Sequence, residues 1–231
     1  DRLRSRNRTD QQGIDVDTLG LGLQFTNQQE TGSLVYGMDF YRDDVSSFSS
    51  NNDIQGPVAD DATYTNLGVF AEWRIALNDQ WSTVLGARYN HFDAEANSVL
   101  DPVNGGQIAI QDDWSKVAGN ARLIYEVDKN SSVFAGIAQG FRAPNFSDLT
   151  RFSSARSNEF EIPQPNLDSE DYIAYEVGYR FREKGLSFDV AAYYTDISDM
   201  ILRFPTGNVN ADGEVEISKA NVSDGYVYGL E

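Results

Sequence analysis

"YTNLGVFAEWRIAL", residues 64–77, changes character at every second position, and the whole reading of the chain follows from it. Thr65, Leu67, Val69, Ala71, Trp73, Ile75 and Leu77 form one mostly apolar row, whereas Tyr64, Asn66, Gly68, Phe70, Glu72 and Arg74 form a row of polar, small or mixed residues. A period of two sends the rows to opposite faces of a β-strand. After the short "NDQ" the alternation resumes with Trp81, Thr83, Leu85, Ala87 and Tyr89 on one face and Ser82, Val84, Gly86, Arg88 and Asn90 on the other, which predicts a hairpin.

The same pattern recurs on both sides of this hairpin. Upstream, Leu19, Leu21, Leu23 and Phe25 match Leu34, Tyr36, Met38 and Phe40 across "NQQETGS". Downstream it runs through Val117 to Val127, Val133 to Ile137, Ile173 to Phe181 and Leu186 to Tyr194. About nine such strands are expected, each roughly 13–16 residues long. Short connections near 27–33, 78–80, 128–131 and 184–185 alternate with long ones near 47–62, 98–113, 146–167 and 204–215. Strands of this length, with connections sorted into two size classes by end, predict an all-β, antiparallel transmembrane β-barrel fragment with short periplasmic turns and long extracellular loops. Trp73, Trp81, Trp114 and Tyr125 fall near strand ends, where an aromatic girdle is expected.

Composition agrees with this reading and narrows the function. The 231 residues carry 36 acidic and 18 basic side chains, a formal charge of −18, which argues against nucleic acid as a partner. There is no Cys, so thiol redox chemistry is excluded, and the single His, His91, has no partner set for zinc or nucleophilic chemistry. No enzyme activity, metal or cofactor is expected. Asn208 to Glu216 begins like a calcium loop, but its twelfth position is Lys219, so an ordinary Asp-Gly turn is expected. No run of 18 apolar residues exists, and mean hydropathy is −0.47. A barrel that shows only every second residue to lipid satisfies both facts. The N-terminal "DRLRSRNRTD" reads as mid-chain sequence rather than a signal peptide.

Charges sort by row. Glu72, Arg74, Arg88, Arg122, Glu126, Glu176, Arg180 and Arg182 share the polar parity and are expected to face the lumen, since at mid-depth in lipid each would cost about 2–4 kcal/mol. There they either line water or seat an internal plug. The long loops are acidic, and such a surface either holds divalent cations that bridge lipopolysaccharide, draws in a cationic ligand, or is simply solvated.

"AQGFRAPNFSDLT" (residues 138–150), "PQPNLDSEDYIAYEVGYRF" (163–181), "FDVAAYYTDISDMI" (188–201) and "NVSDGYVYGLE" (221–231) resemble, in order and spacing, the C-terminal barrel of TonB-dependent outer-membrane receptors. That resemblance implies a bacterial outer-membrane receptor that captures a scarce small molecule, such as an iron chelate or haem, and imports it with TonB-derived energy. Residues 1–231 would be part of the barrel, with the plug domain and remaining strands outside this sequence. Implied partners are outer-membrane lipid and lipopolysaccharide, the plug, TonB and the ligand. "FRAP", with Phe141, Ala143 and Pro144, and "QPNL", with Pro165, Asn166 and Leu167, are similar to the two boxes of haem-uptake members, although the loop between them holds no His. Pro144 removes a ladder donor and restricts Ala143 to extended geometry, so the first box ends its strand. Around that exit, Arg142, Asn145, Arg151 and Arg156 are the expected ligand-binding residues; the alternative for Arg142 is an ion pair with Asp148 or Asp168 that stiffens the exit. Competing readings are a passive porin-like or adhesin barrel and a soluble carbohydrate-binding β domain.

Overall fold

The computed structural model describes residues 4–5, 11–101, 104–156 and 158–231, with side chains for all of these except 4, 5, 155 and 156. Among them one sheet accounts for every strand. Nine long strands form its meander: β2 (Gln11–Gln29), β3 (Gly32–Ser49), β4 (Asp60–Ala76), β5 (Trp81–Leu100), β6 (Gln107–Glu126), β7 (Ser131–Arg142), β10 (Glu170–Glu183), β11 (Leu186–Val209) and β12 (Val215–Leu230). Three short ones, β1 (Arg4–Ser5), β8 (Ser153–Arg156) and β9 (Glu159–Glu161), and a single turn of helix, α1 (Phe146–Leu149), complete it. The order is β1-β2-β3-β4-β5-β6-β7-β10-β11-β12-β9-β8, and the sheet is not closed.

Neighbouring strands keep their faces in phase. Leu23 lies opposite Met38, Met38 opposite Val69, Val69 opposite Tyr89, and Tyr89 opposite Val117, so one apolar row crosses five strands. Its side chains are open to the surroundings, with Leu23 at 59% and Val117 at 68% exposure, while Asn90 on the opposite face is 6% exposed. The outer face is therefore apolar and uncovered, as a lipid-facing wall requires.

Short turns close one end. Asn78 accepts backbone hydrogen bonds from Gln80 and Trp81, both at 2.9 Å, and Asp128 accepts one from Asn130 at 2.8 Å. Lys184 and Gly185 join β10 to β11, and the φ of +90° at Gly185 needs a residue without Cβ. Trp81 packs on Tyr125 with ring centroids 4.6 Å apart at this end, and Trp73 sits one strand away.

The other end differs from expectation in two ways. Residues 98–113 and 204–215 are largely strand rather than loop: β5 and β6 stay paired to Leu100 and Gln107, and β11 and β12 to Val209 and Val215. Strand lengths consequently spread from 12 to 24 residues. Continuing the ladder satisfies backbone groups that a loop would have to leave to water, and irregularities between Ala96 and Val99 and between Pro205 and Val209 absorb the breaks in phase. Asp112 and Asp113 therefore lie in β6, and Asn208 to Glu216 is a hairpin tip in which Asn210 caps the turn at Gly213.

Amphipathicity also inverts along the strands. In β5 the outward row is apolar to Tyr89, but beyond it the outward residues are Asp93 and Glu95 while inward Ala94 and Ala96 are fully covered. β4 shows the same inversion with inward Ala62, and β6 with inward Ile110 and Trp114. Trp114 is thus no girdle residue; it is 8% exposed and its Nε1 donates to the Leu167 carbonyl at 3.0 Å. The reversal marks the level at which the outside ceases to be lipid and the inside ceases to be open.

Candidate functional site: the lid over the barrel mouth

What fills the inside at that level is the connection between β7 and β10, described over residues 143–156 and 158–169, which folds inward as a lid. Pro144 is fully buried and ends β7. Asn145 then caps α1: its side chain accepts from the Asp148 amide at 3.0 Å, and the Asp148 carboxylate accepts from the Asn145 amide at 3.2 Å. This box aims Phe146 and Leu149 at the wall, where they join Val45, Ala62, Ala94, Ala96, Ile110, Trp114 and Leu167 in a dry cluster. Tyr64 hydroxyl donates to the Pro144 carbonyl at 2.9 Å, and its ring meets Phe146 edge-on at 5.7 Å.

Polar groups on this flank are matched to the backbone. Gln55, 2% exposed, donates from Nε2 to the Thr150 carbonyl at 2.8 Å and accepts at Oε1 from the Leu100 amide at 2.7 Å. Thr150 hydroxyl accepts from the Ala59 amide at 2.9 Å. One side chain thereby ties the β3–β4 loop, the β5–β6 hairpin and the lid together.

The opposite flank is charged. β9 pairs in parallel with β12, Val215 opposite Glu159 and Ile217 opposite Glu161. Arg142 donates from Nη1 to Asp148 at 2.5 Å and from Nε to Glu170 at 2.7 Å. Lys219 bridges Asp148 at 3.1 Å and Glu161 at 3.0 Å, and Arg203 reaches Glu161 at 3.1 Å and Glu159 at 2.9 Å. Arg151 lies 3.7 Å from Glu161. The Arg142 guanidinium and the Tyr172 hydroxyl hold Glu170 down at about 2, against the pull of burial. Burial pushes Asp148 up, but Arg142, the Asn145 amide and Lys219 outweigh it and keep this carboxyl below its ordinary range.

Of the expected binding residues, Arg142, Asn145 and Arg151 come together here, as members of a network or its helix cap. Arg142 takes the ion-pair alternative, with Asp148 and Glu170 as partners; Asp168 instead exchanges backbone hydrogen bonds with the Asn221 side chain. Asn145 is a helix cap, Arg151 faces Glu161, and the side chain of Arg156 lies outside the described residues. Ala143 and Leu167 are buried in the dry cluster, Phe141 packs edge-on against Phe92 at 5.7 Å, Pro165 is half-buried and Asn166 is exposed. Lys219, Arg203, Glu159, Glu161 and Gln55 are central here and carry no local sequence signal, since their partners lie far away in the chain.

Below the lid, the charged inner row pairs laterally within the wall. Arg88 forms a two-pronged pair with Asp39 at 2.8 and 2.6 Å, its guanidinium resting on the bare backbone of Gly68. Arg122 pairs with Glu176 and lies 5.0 Å from the Phe134 ring centre; Arg180 and Arg182 share Asp189. Arg74, 3.8 Å from Glu72, is the loosest of these cations. A cavity of about 330 Å³ opens on this wall between Glu72, Arg74, Asn120, Arg122 and Glu176. Among the described residues no three His, Cys, Asp or Glu side chains converge as a metal site.

Residues 1–231 match the family described as TonB dependent receptor-like, beta-barrel. A vitamin B12 transporter BtuB of Vibrio vulnificus (strain YJ016) is 33% identical over 97 residues, 42% of this chain and 14% of the transporter. The hemophore receptor HasR of Serratia marcescens, solved with its hemophore HasA and heme, superposes over 96% of this chain and 39% of its own with a TM-score of 0.79 at 17% identity. The copper transporter OprC superposes over 96% of this chain and 34% of its own, with a TM-score of 0.70 at 18% identity. The chain therefore spans 39% and 34% of these two solved proteins and a still smaller share of the B12 transporter.

Proposed function

Since the chain belongs to the TonB-dependent receptor-like β-barrel family, we propose that it forms wall and mouth of an outer-membrane receptor that binds a scarce small molecule, an iron chelate, haem or similar, and imports it with TonB-derived energy. Members of this family are receptors and transporters rather than enzymes. The observation that carries the reading is a lipid-type outer wall whose mouth is covered from inside by residues 143–169, held on one flank by an apolar cluster. A passive pore has no use for so elaborate a cover.

In this reading lipid and lipopolysaccharide surround the outer face, and a plug domain and TonB are supplied by and to the rest of the receptor. Arg142, Asn145, Arg151 and Arg156 are the residues proposed to meet ligand at the mouth, and Arg74 and Glu72, joined only by a 3.8 Å contact, are inner charges available to a plug. Arg88, Arg122, Arg180 and Glu176 stiffen the wall instead. The test is growth of a receptor-deleted strain, with and without the full-length receptor, on single iron, haem or cobalamin sources, in TonB-positive and TonB-negative backgrounds. Restoration of growth on one source, only when TonB is present, supports import; TonB-independent leakage of many solutes rejects it in favour of a passive pore.

A further inference from the structure

The ladder between β6 and β7 stops short. It runs from Glu126 opposite Ser132 to Asn120 opposite Ala138 and ends there, although β6 continues to Gln107 and β7 to Arg142. Above that point β7 and β10 pass inside β5 and β6 rather than beside them. Phe141, of outward parity, packs edge-on against inward Phe92 at 5.7 Å, and Asp171, also of outward parity, accepts from inward Lys116 at 2.6 Å. The wall is lapped here, and β6 is left with an upper edge that no strand of the described residues covers. Side chains stand in for a strand at two points of that edge: the Gly119 amide donates to Gln139 Oε1 at 3.2 Å, and the Asp113 amide to Asp112 Oδ1 at 3.0 Å. Backbone groups of an antiparallel strand alternate between its two sides, so the amides of Gln111 and Ser115 point the same way as these two. No strand of the described residues offers them an acceptor.

We propose that the upper edge of β6, from Gln107 to Ser115, is a strand-addition site for an extended, basic segment of a partner protein at the cell surface. A row of free amides and carbonyls is a template for one more strand, and such pairing recognises backbone before side chain. The level suits a water-soluble partner. Val117 opposite Tyr89 is the last apolar outward pair, and above it come Ser115 opposite His91, Asp113 opposite Asp93 and Gln111 opposite Glu95. The same pairs set the sign of the charge, because Asp93, Glu95 and Asp113 are all exposed or half-exposed beside the edge. Burial, and then the Asp113 and Asp168 carboxylates, push the Asp112 carboxyl up against the pull of the Asp113 amide, while the nearby Lys116 is engaged by Asp171. Lys or Arg at alternate positions of an added strand supplies the missing cations across the pair. A second copy of this chain would set like charge against like, and lipid has no strand to add.

The test uses the full-length receptor in nanodiscs of zwitterionic lipid, with a short labelled peptide of alternating Lys and Val as the probe. Before peptide is added, amide exchange should be fast at Gln111 and Ser115 and slow at Asp112 and Trp114, whose amides face β5; slow exchange at all four overturns the open edge. The peptide is expected to bind saturably and to slow exchange at Gln111 and Ser115. A copy N-methylated at alternate residues keeps the charge but cannot join the ladder, and Gln111→Pro removes one edge donor while leaving the β5 ladder intact. Each should raise the dissociation constant roughly fivefold or more, and a peptide of alternating Glu and Val should not bind. Equal binding of the N-methylated or the Glu peptide, or an unmoved constant in Gln111→Pro, overturns strand addition. A receptor dimer that Gln111→Pro dissolves overturns it too, by giving the edge to a second copy. Import is a separate matter: peptide binding by a receptor that supports no TonB-dependent growth leaves the edge standing, and growth without peptide binding does the reverse.

Discussion

The two flanks of the lid hold the same segment by opposite means. Toward β3–β6 it is held by Phe146, Leu149 and Leu167 in a cluster without charge, and by Gln55 and Thr150 spent wholly on backbone. On the other side Arg142 of β7, Lys219 of β12 and Arg203 of β11 hold its Asp148, Glu159 and Glu161, beside the parallel β9–β12 ladder and the Asp168–Asn221 hydrogen bonds. An apolar contact carries no group that titrates and is weakened mainly by spoiling its shape, whereas an ion pair is weakened by protonating its carboxylate and by screening salt.

The largest effect is expected from spoiling shape on the apolar flank. Leu149 is fully buried, and Leu149→Ala removes its contacts and leaves a cavity worth about 2–5 kcal/mol. Amide exchange across residues 146–152 in the full-length receptor should accelerate accordingly, while exchange in the β11–β12 hairpin stays as it was. Acceleration in both would mean that the flanks are one cooperative unit and the comparison is void.

Acidification attacks the other flank. Glu170 is held at about 2 and Asp148 below its ordinary range, so both bind protons more weakly folded than unfolded. Their stabilisation is complete above the ordinary carboxylate range and is lost as pH falls from about 4 toward 2. Protection of the amides at 146–149, corrected for intrinsic exchange, should be constant from neutral pH to about 5, then fall on further acidification, and Glu170→Gln should abolish part of that dependence. Protection that falls between pH 8 and 6 would assign control to some other group.

Most of the wall was legible in the sequence and most of the lid was not, for one physical reason. Alternation is local: Leu67, Val69, Ala71 and Trp73 declare their face without reference to anything distant. Inversion of that alternation, in "HFDAEAN" at residues 91–97, is equally local, and it carries the level at which the lid begins; it reads as a loop only if outward is assumed always to mean lipid. The network is different in kind. Lys219 meets Asp148 across 71 residues and Gln55 meets Thr150 across 95, distances over which a single sequence carries no pairing information. Strand β7 ends at Arg142 inside the first box and β10 begins at Glu170 just past the second, whereas the partners of Asn145 and Arg151 between them carried no sequence signal.

A more modest effect is expected at the polar pin of the apolar flank. Gln55→Ala leaves the Leu100 amide and the Thr150 carbonyl without partners, a cost of about 1–3 kcal/mol. Because Gln55 reaches both the lid and the β5–β6 hairpin, exchange should rise at Leu100 and Thr150 together, and a change confined to one of them would show that the loops are held separately.

The smallest effect separates buried charge from charge as such. Lys116 and Asp171 form a pair at 2.6 Å, as short as most in the network, yet both side chains are more than a third exposed. Exposed pairs contribute about 0–1 kcal/mol, because water and salt screen what the geometry offers. Lys116→Met should therefore leave lid exchange within error of the unaltered receptor. If it instead loosened the lid as much as Glu170→Gln, then the layering of carboxylates beneath guanidiniums would be incidental, and any well-placed ion pair at the mouth would serve as well as the buried ones.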